Sequence, residues 1–209
     1  ARGLPCVLFP TKAPVMSGYV PPRDQVYALL AADYRGQRRL SPEERKSWAS
    51  GHHKSAMLRL SPNEQARLIS DLASQVGGEP SPPAPCHLTE TQLKLLPASV
   101  YLGAHGLYHH EFGSLGPEEL RAELAEILGW VARVRPGQPH GVWLAYPNGK
   151  DDREGRPGQV VQAVSDAGAG YAFTAKKAVL SAKAMDLKIP RTFSQDGIDY
   201  LRPIWEKKA

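Results

Sequence analysis

What this chain lacks rules out several large classes. It has only two cysteines, Cys6 and Cys86, too few for a disulfide framework or a zinc cluster. Cys6 lies in an apolar run and is expected in the core, so cysteine usage leaves the compartment open. No stretch of about eighteen consecutive apolar residues is present, and no transmembrane segment is expected. The opening Ala1-Arg2-Gly3-Leu4-Pro5 lacks the basic start, apolar centre and small-residue cleavage site of a secretory leader. It reads as the interior of a protein, entering directly into a strand. A basic stripe is missing too. The net charge is +5, but Lys and Arg are spread out, with small clusters at Arg35–Arg39 and Lys207–Lys208. Attraction to an anionic surface is permitted, yet charge without a docking motif gives no expectation of nucleic-acid binding.

At 209 residues the chain suits one domain, 1–209, with a sizeable core. Leu4-Pro-Cys-Val-Leu-Phe9 is a short continuous apolar run, as in a strand buried on both faces of a parallel sheet. A Pro-rich loop runs from Pro10 to Pro22, after which Val26, Leu29 and Leu30 suggest one short helix. Ser41-Pro-Glu-Glu44 and Ser61-Pro-Asn-Glu64 each pair a Ser cap with a Glu three residues on, the capping-box signature. The second opens a helix with Leu68, Ile69, Leu72 and Val76 on its apolar side. Residues 23–78 therefore read as a helical insertion between consecutive strands. Within it, Gly51-His52-His53-Lys54 lacks a third ligand at motif spacing and reads as exposed loop. A Pro-rich linker follows at about 79–87.

Thr89 and Gln92 form another capping box, and the short helix they open leads into Val100-Tyr101-Leu102, a β-prone run. Gly103 and Ala104 let the backbone pass close to a neighbour, and the chain turns at once into His105 and His109. Pro117, Glu118 and Glu119 mark a helix start. Leu120, Leu124, Ile127, Leu128, Val131 and Val134 then recur at helical spacing. Gly141 to Tyr146 reads as a strand ending at Pro147-Asn148-Gly149, and Lys150 to Glu154 as a solvated charged loop. Val160, Val161 and Val164 predict a helix ending near Gly168. Tyr171 to Thr174 reads as a strand, Lys176 to Lys183 as a basic connection, and Leu187 to Phe193 as a last extended run. Strands alternating with helices argue for a parallel α/β arrangement.

Two imidazoles at i and i+4 project from one side of a helical turn, so one metal ion can meet both. Taken by themselves they also fit a pair of solvated loop histidines. The surrounding order narrows the reading: strand, His-x3-His loop, amphipathic helix, strand, Tyr-Pro-x-Gly turn. It resembles the polysaccharide deacetylases, the NodB-homology family of carbohydrate esterases (family 4). The likeness runs from the Leu88–Leu93 helix through Ala167–Thr174 to Ile189-Pro190-Arg191, and Leu4–Phe9 is similar to the family's second strand.

The resemblance implies an incomplete (β/α)7-type barrel with a helical insertion, its reactive loops at the carboxyl ends of the strands. It implies removal of N-acetyl groups from a poly- or oligosaccharide, assisted by a divalent metal, zinc above all, that polarises the carbonyl and activates water. It assigns His105 and His109 as two of three protein ligands. It gives the Asn148 position a backbone N–H for the oxyanion, and Tyr108, Tyr146 and Pro147 a place beside the sugar. Arg191, after the late Ile-Pro, is the candidate to hold the general base. Equally, it reads as a surface arginine on an edge strand.

This chain departs from the pattern in several places. Asn148 replaces the usual aromatic, Ala145 stands where many members have arginine, and the late general-acid histidine is not recognisable. His140 precedes its strand, at the wrong barrel end. The first family motif, Phe-Asp-Asp-Gly, which brings the third ligand and the base, is expected ahead of Leu4. Asp24, Asp33, Asp151 and Asp152 sit in the wrong elements to replace it. Two expectations follow: an incomplete or degenerate deacetylase domain, or a non-catalytic carbohydrate-binding relative presenting Trp143, Tyr108 and Tyr146 to sugar. A blander reading is a scaffold for protein association.

Overall fold

Parallel strands cannot be joined by tight turns, so each pair needs a crossover, and helices provide it here. The computed structural model describes residues 5–35, 39–49, 57, 60–77, 87–138, 141–152, 158–176 and 187–189. Four strands, β1 (Cys6–Leu8), β2 (Val100–Ala104), β3 (Trp143–Ala145) and β4 (Tyr171–Phe173), pair in chain order and all in parallel. Between β1 and β2 come α1 (Lys12–Ser17), α2 (Pro22–Arg35), α3 (Pro42–Ala49), α4 (Pro62–Val76) and α5 (Glu90–Lys94). Helix α6 (Pro117–Val134) joins β2 to β3, and α7 (Gln159–Asp166) joins β3 to β4. Ile189 bridges in parallel to Phe173, at the side of β4 away from β3. Among the described residues the strands form an open sheet rather than a closed barrel.

The two faces of this sheet differ. Leu102, Ala104, Leu144 and Ala172 point to one side and are buried beneath Leu124, Ile127 and Val131 of α6 and Val160 and Val164 of α7. The other side is aromatic. Trp143 has its ring centroid 6.1 Å from Tyr101, 5.6 Å from Tyr171 and 6.0 Å from Phe173. Phe9 reaches Phe173 at 5.4 Å, over Gly103, where an added Cβ would lie 2.3 Å from the Phe9 ring.

A second core lies among the helices that follow β1. Val26 and Leu29 of α2 pack with Leu40, Met57, and Ile69 and Leu72 of α4. All three capping boxes form: Ser41 with Glu44, Ser61 with Glu64 and Thr89 with Gln92. Where the sequence suggested one short helix around Val26, α2 runs for 14 residues. The Pro10–Pro22 stretch, expected as loop, contains α1, because its Pro14 falls in the first turn, where no amide hydrogen is needed. Cys6 is corrected from core to exposed. Its strand stands at the sheet edge among the described residues, with β2 on one side only.

Candidate functional site

Strands β2 and β3 are adjacent and parallel, so the loops that follow them leave the same edge of the sheet. The first loop carries His105 and His109, whose ring centroids are 4.8 Å apart and nearly perpendicular. No helical turn brings them together. Gly106 and His109 both take positive φ, 86° and 65°, and the chain doubles back between them. The stretch is a loop, as read from the sequence, and tertiary hydrogen bonds rather than a helical turn bring the rings together.

Those bonds grip the loop from three sides. The Lys12 and Ala13 N–H groups, at the start of α1, donate to the Gly106 and Leu107 carbonyls at 3.1 and 2.9 Å. The Leu107 N–H donates to Glu123 Oε1 on α6 at 2.8 Å. His105 Nδ1 lies 2.7 Å from the Ala145 carbonyl at the end of β3. A carbonyl only accepts, so Nδ1 carries a proton, and Nε2 is the nitrogen that the neutral ring would offer to a metal. Gly106 is confined as well. A Cβ there would come within 3.2 Å of Glu123 Oε1 and 3.3 Å of Pro147 Cγ.

The second loop is the Tyr146-Pro147-Asn148-Gly149 turn. Asn148 adopts φ 53° and ψ 12°, a left-handed conformation that asparagine tolerates better than most residues. Gly149 and Lys150 donate their N–H groups to Tyr146 and Pro147. The side-chain Nδ2 of Asn148 is buried and has no hydrogen-bond partner. Tyr146 was expected beside the sugar. It is fully buried, and its hydroxyl donates to the Leu187 carbonyl at 3.0 Å, so its ring offers no face to a ligand. Pro147 is buried against Gly106 and is likewise part of the packing rather than of an open surface. Tyr108 is different: it is exposed, with its ring edge-on to Tyr19 at 5.0 Å. Arg191, His52, His53, His140 and residues 79–86 of the linker expected at about 79–87 lie outside the described residues.

Burial, the largest influence, holds His109 below the ordinary histidine range. Asp24 and Arg23, at the start of α2, act on it in opposite directions. His110, also buried, is lowered by desolvation first and then by His109. Glu123 is pushed up to about 7 by burial, against the opposing Leu107 hydrogen bond. Sequence reading passed over Glu123, although an acidic residue within the apolar stripe of α6 was the signal. For His110 and Tyr19 no such signal existed.

A zinc-type ion takes three or four protein donors. His105 and His109 offer two nitrogens. Among the described residues no group of three His, Cys, Asp or Glu side chains is placed to hold a metal. Asp151 pairs with Lys176 at 3.1 Å and Lys188 at 3.6 Å. Asp152 accepts from the Gly158 N–H, and buried Asp33 accepts from the Leu40 N–H. Among the described residues the donors do not make up a complete metal centre.

No protein-family model matches the chain, and no curated protein matches it in sequence. Among solved structures the chain is similar to the Streptococcus pyogenes deacetylase PplD in complex with acetate. The two share 14% identity over 90% of each chain, with a TM-score of 0.44. A likeness of that size fixes neither the topology in detail nor the function.

Proposed function

We propose that this chain belongs to a polysaccharide N-deacetylase of the NodB-homology kind, with its site at the carboxyl edge of β2 and β3. The carrying observation is the convergence of His105 and His109 next to the Tyr146-Pro147-Asn148-Gly149 turn, with His105 Nδ1 anchored on the strand that leads into that turn. The aromatic second face of the sheet supports the barrel reading, since parallel sheets are normally covered on both sides.

In this reading the reaction is hydrolysis of an acetamide on an acetylated poly- or oligosaccharide. His105 Nε2 and a His109 nitrogen are two donors toward a divalent ion, zinc in the family. When bound, such an ion polarises the carbonyl and acidifies water. With two donors in place of three, no step is derived through it. What the described residues do by themselves is hold the two imidazole rings side by side, and in this reading the Asn148 backbone N–H serves the developing oxyanion. Arg191 remains the proposed partner of a general base.

Acetate release from N-acetylated chito-oligosaccharides tests the proposal. Residues 1–209 by themselves are expected to act at background rate, because a general base contributes about 10²–10⁴-fold and the described residues supply no third donor. Adding a strand that ends in Phe-Asp-Asp-Gly ahead of Ala1 should give release that needs divalent metal, His105 and His109. A folded, metal-loaded extended chain without activity would overturn the catalytic reading. The shortfall of donors among the described residues would then favour the second reading, a carbohydrate-binding relative.

A further inference from the structure

Beside the histidine loop lies a cavity of about 330 Å³, walled by α2, α4, the Tyr19 segment and Tyr108-to-His110. It lies at the small end of the roughly 300–1,000 Å³ typical of ligand pockets, room for one ring-sized unit. We propose that it is a saccharide subsite that holds the sugar next to the one being deacetylated. The identity of the sugar rests on the deacetylase reading; the pocket and its neutral, hydroxyl-accepting chemistry do not.

Three observations select this occupant. First, the wall is aromatic and presented. Tyr19 and Tyr108 meet edge to face, Tyr108 stands 5.8 Å from the His110 ring, and Tyr108 remains exposed. Such a corner offers an apolar face with hydroxyl tips, which suits the mixed apolar and hydroxylated faces of a pyranose. Secondly, Gln25 and Gln65 both line the cavity. Each has its amide nitrogen tied to a backbone carbonyl, Val20 at 2.7 Å and Leu60 at 3.0 Å. These bonds tie down both amide groups, whose oxygens can accept from hydroxyl or acetamido N–H groups. Gln65 is only 2% exposed, so its orientation is set by the fold rather than by solvent. Thirdly, none of the described lining residues is Asp, Glu, Lys or Arg. A phosphate or carboxylate ligand would find no countercharge, and a purely apolar one would strand two amides.

Continuity with the site comes from Tyr108 itself. It lies within the His105–His109 loop, so a ring against it adjoins the histidines along one chain. The helices between β1 and β2 would thus have a role beyond their own core: α4 forms the far wall of the subsite.

Ala66 makes the test clean, since it is exposed on α4 and lines the cavity. A tryptophan there fills the space with little demand on the core. Binding of an N-acetylated chito-oligosaccharide to residues 1–209 is followed by heteronuclear NMR and calorimetry. Wild type should show shifts at Tyr19, Gln65, Ala66 and Tyr108. Ala66→Trp should weaken binding about tenfold or more with unchanged circular dichroism and melting temperature, while His105→Ala retains most of the affinity. Wild-type affinity in Ala66→Trp, shifts confined elsewhere, or no saccharide binding at all would overturn the subsite. Acetate release by the extended protein judges the deacetylase reading independently, so the two can fail separately.

Discussion

Glu123 Oε1 accepts a hydrogen bond from the Leu107 N–H at 2.8 Å, and through it α6 holds the loop that carries both histidines. The carboxyl is buried, and its partner is a backbone group that no side-chain substitution at 107 other than proline removes. Loop geometry and helix packing are therefore one feature.

The pH dependence of stability should report this bond. Burial raises Glu123 from 4.5 to about 7. Between those values the folded protein retains a proton that the unfolded chain has lost, so stability falls as pH rises through that window and levels off above it. Glu123→Gln removes this component, on the order of 3 kcal/mol across the window. Urea melts of both proteins at a series of pH values check it. A wild-type-minus-variant difference that does not change with pH would contradict the burial argument.

Metal affinity should be weak in residues 1–209, because two nitrogens fall short of the three or more donors of ordinary zinc sites. After dialysis, elemental analysis should find well under one equivalent. His105→Ala and His109→Ala should each abolish what remains. Burial keeps His109 neutral to lower pH than an exposed histidine, so residual binding should persist into mildly acidic solution. Tight stoichiometric binding would require a third donor outside the described residues.

Tyr146 and Tyr108 should part company under mutation. Tyr146→Phe deletes a buried hydroxyl that donates to Leu187 and should cost about 0.5–1.5 kcal/mol without changing saccharide affinity. Tyr108→Ala, at an exposed ring, should leave the melting temperature nearly unchanged and weaken saccharide binding. Paired melting and titration experiments separate the two. The reverse pattern would reinstate Tyr146 as the ligand-facing residue.

Two glycines with similar backbone angles should respond unequally to alanine. At Gly149, φ is 71° and a Cβ would lie 2.0 Å from the Ala175 Cβ and 2.3 Å from the Ala175 backbone N. Gly149→Ala combines strain with a backbone collision and should cost more than about 2 kcal/mol. At Gly168, φ is 81° and nothing lies within 4 Å, so only the left-handed penalty of about 1–2 kcal/mol applies. Chemical denaturation of both variants gives the comparison.

Local chemistry was legible from residue order. The Ser61–Glu64 and Thr89–Gln92 caps, the apolar stripe of α6 and the short β-prone runs depend on neighbours within a turn, and they form as their spacing requires. The parallel sheet followed from alternation, since strands joined through helices return in the same direction. Tertiary structure decided the rest. The His105–His109 approach depends on Gly106 and His109 taking positive φ, in a loop held by bonds from Glu123 on α6 and from Lys12 and Ala13 on α1, two distant segments. Tyr146 and Tyr108 are both tyrosines in loops at the same sheet edge, yet one is sealed under Leu187 and the other faces the cavity. Spacing along a chain fixes which side chains share a turn. Which of them meet water is set by what packs over them, and here that cover comes from residues roughly forty to a hundred positions away in the chain.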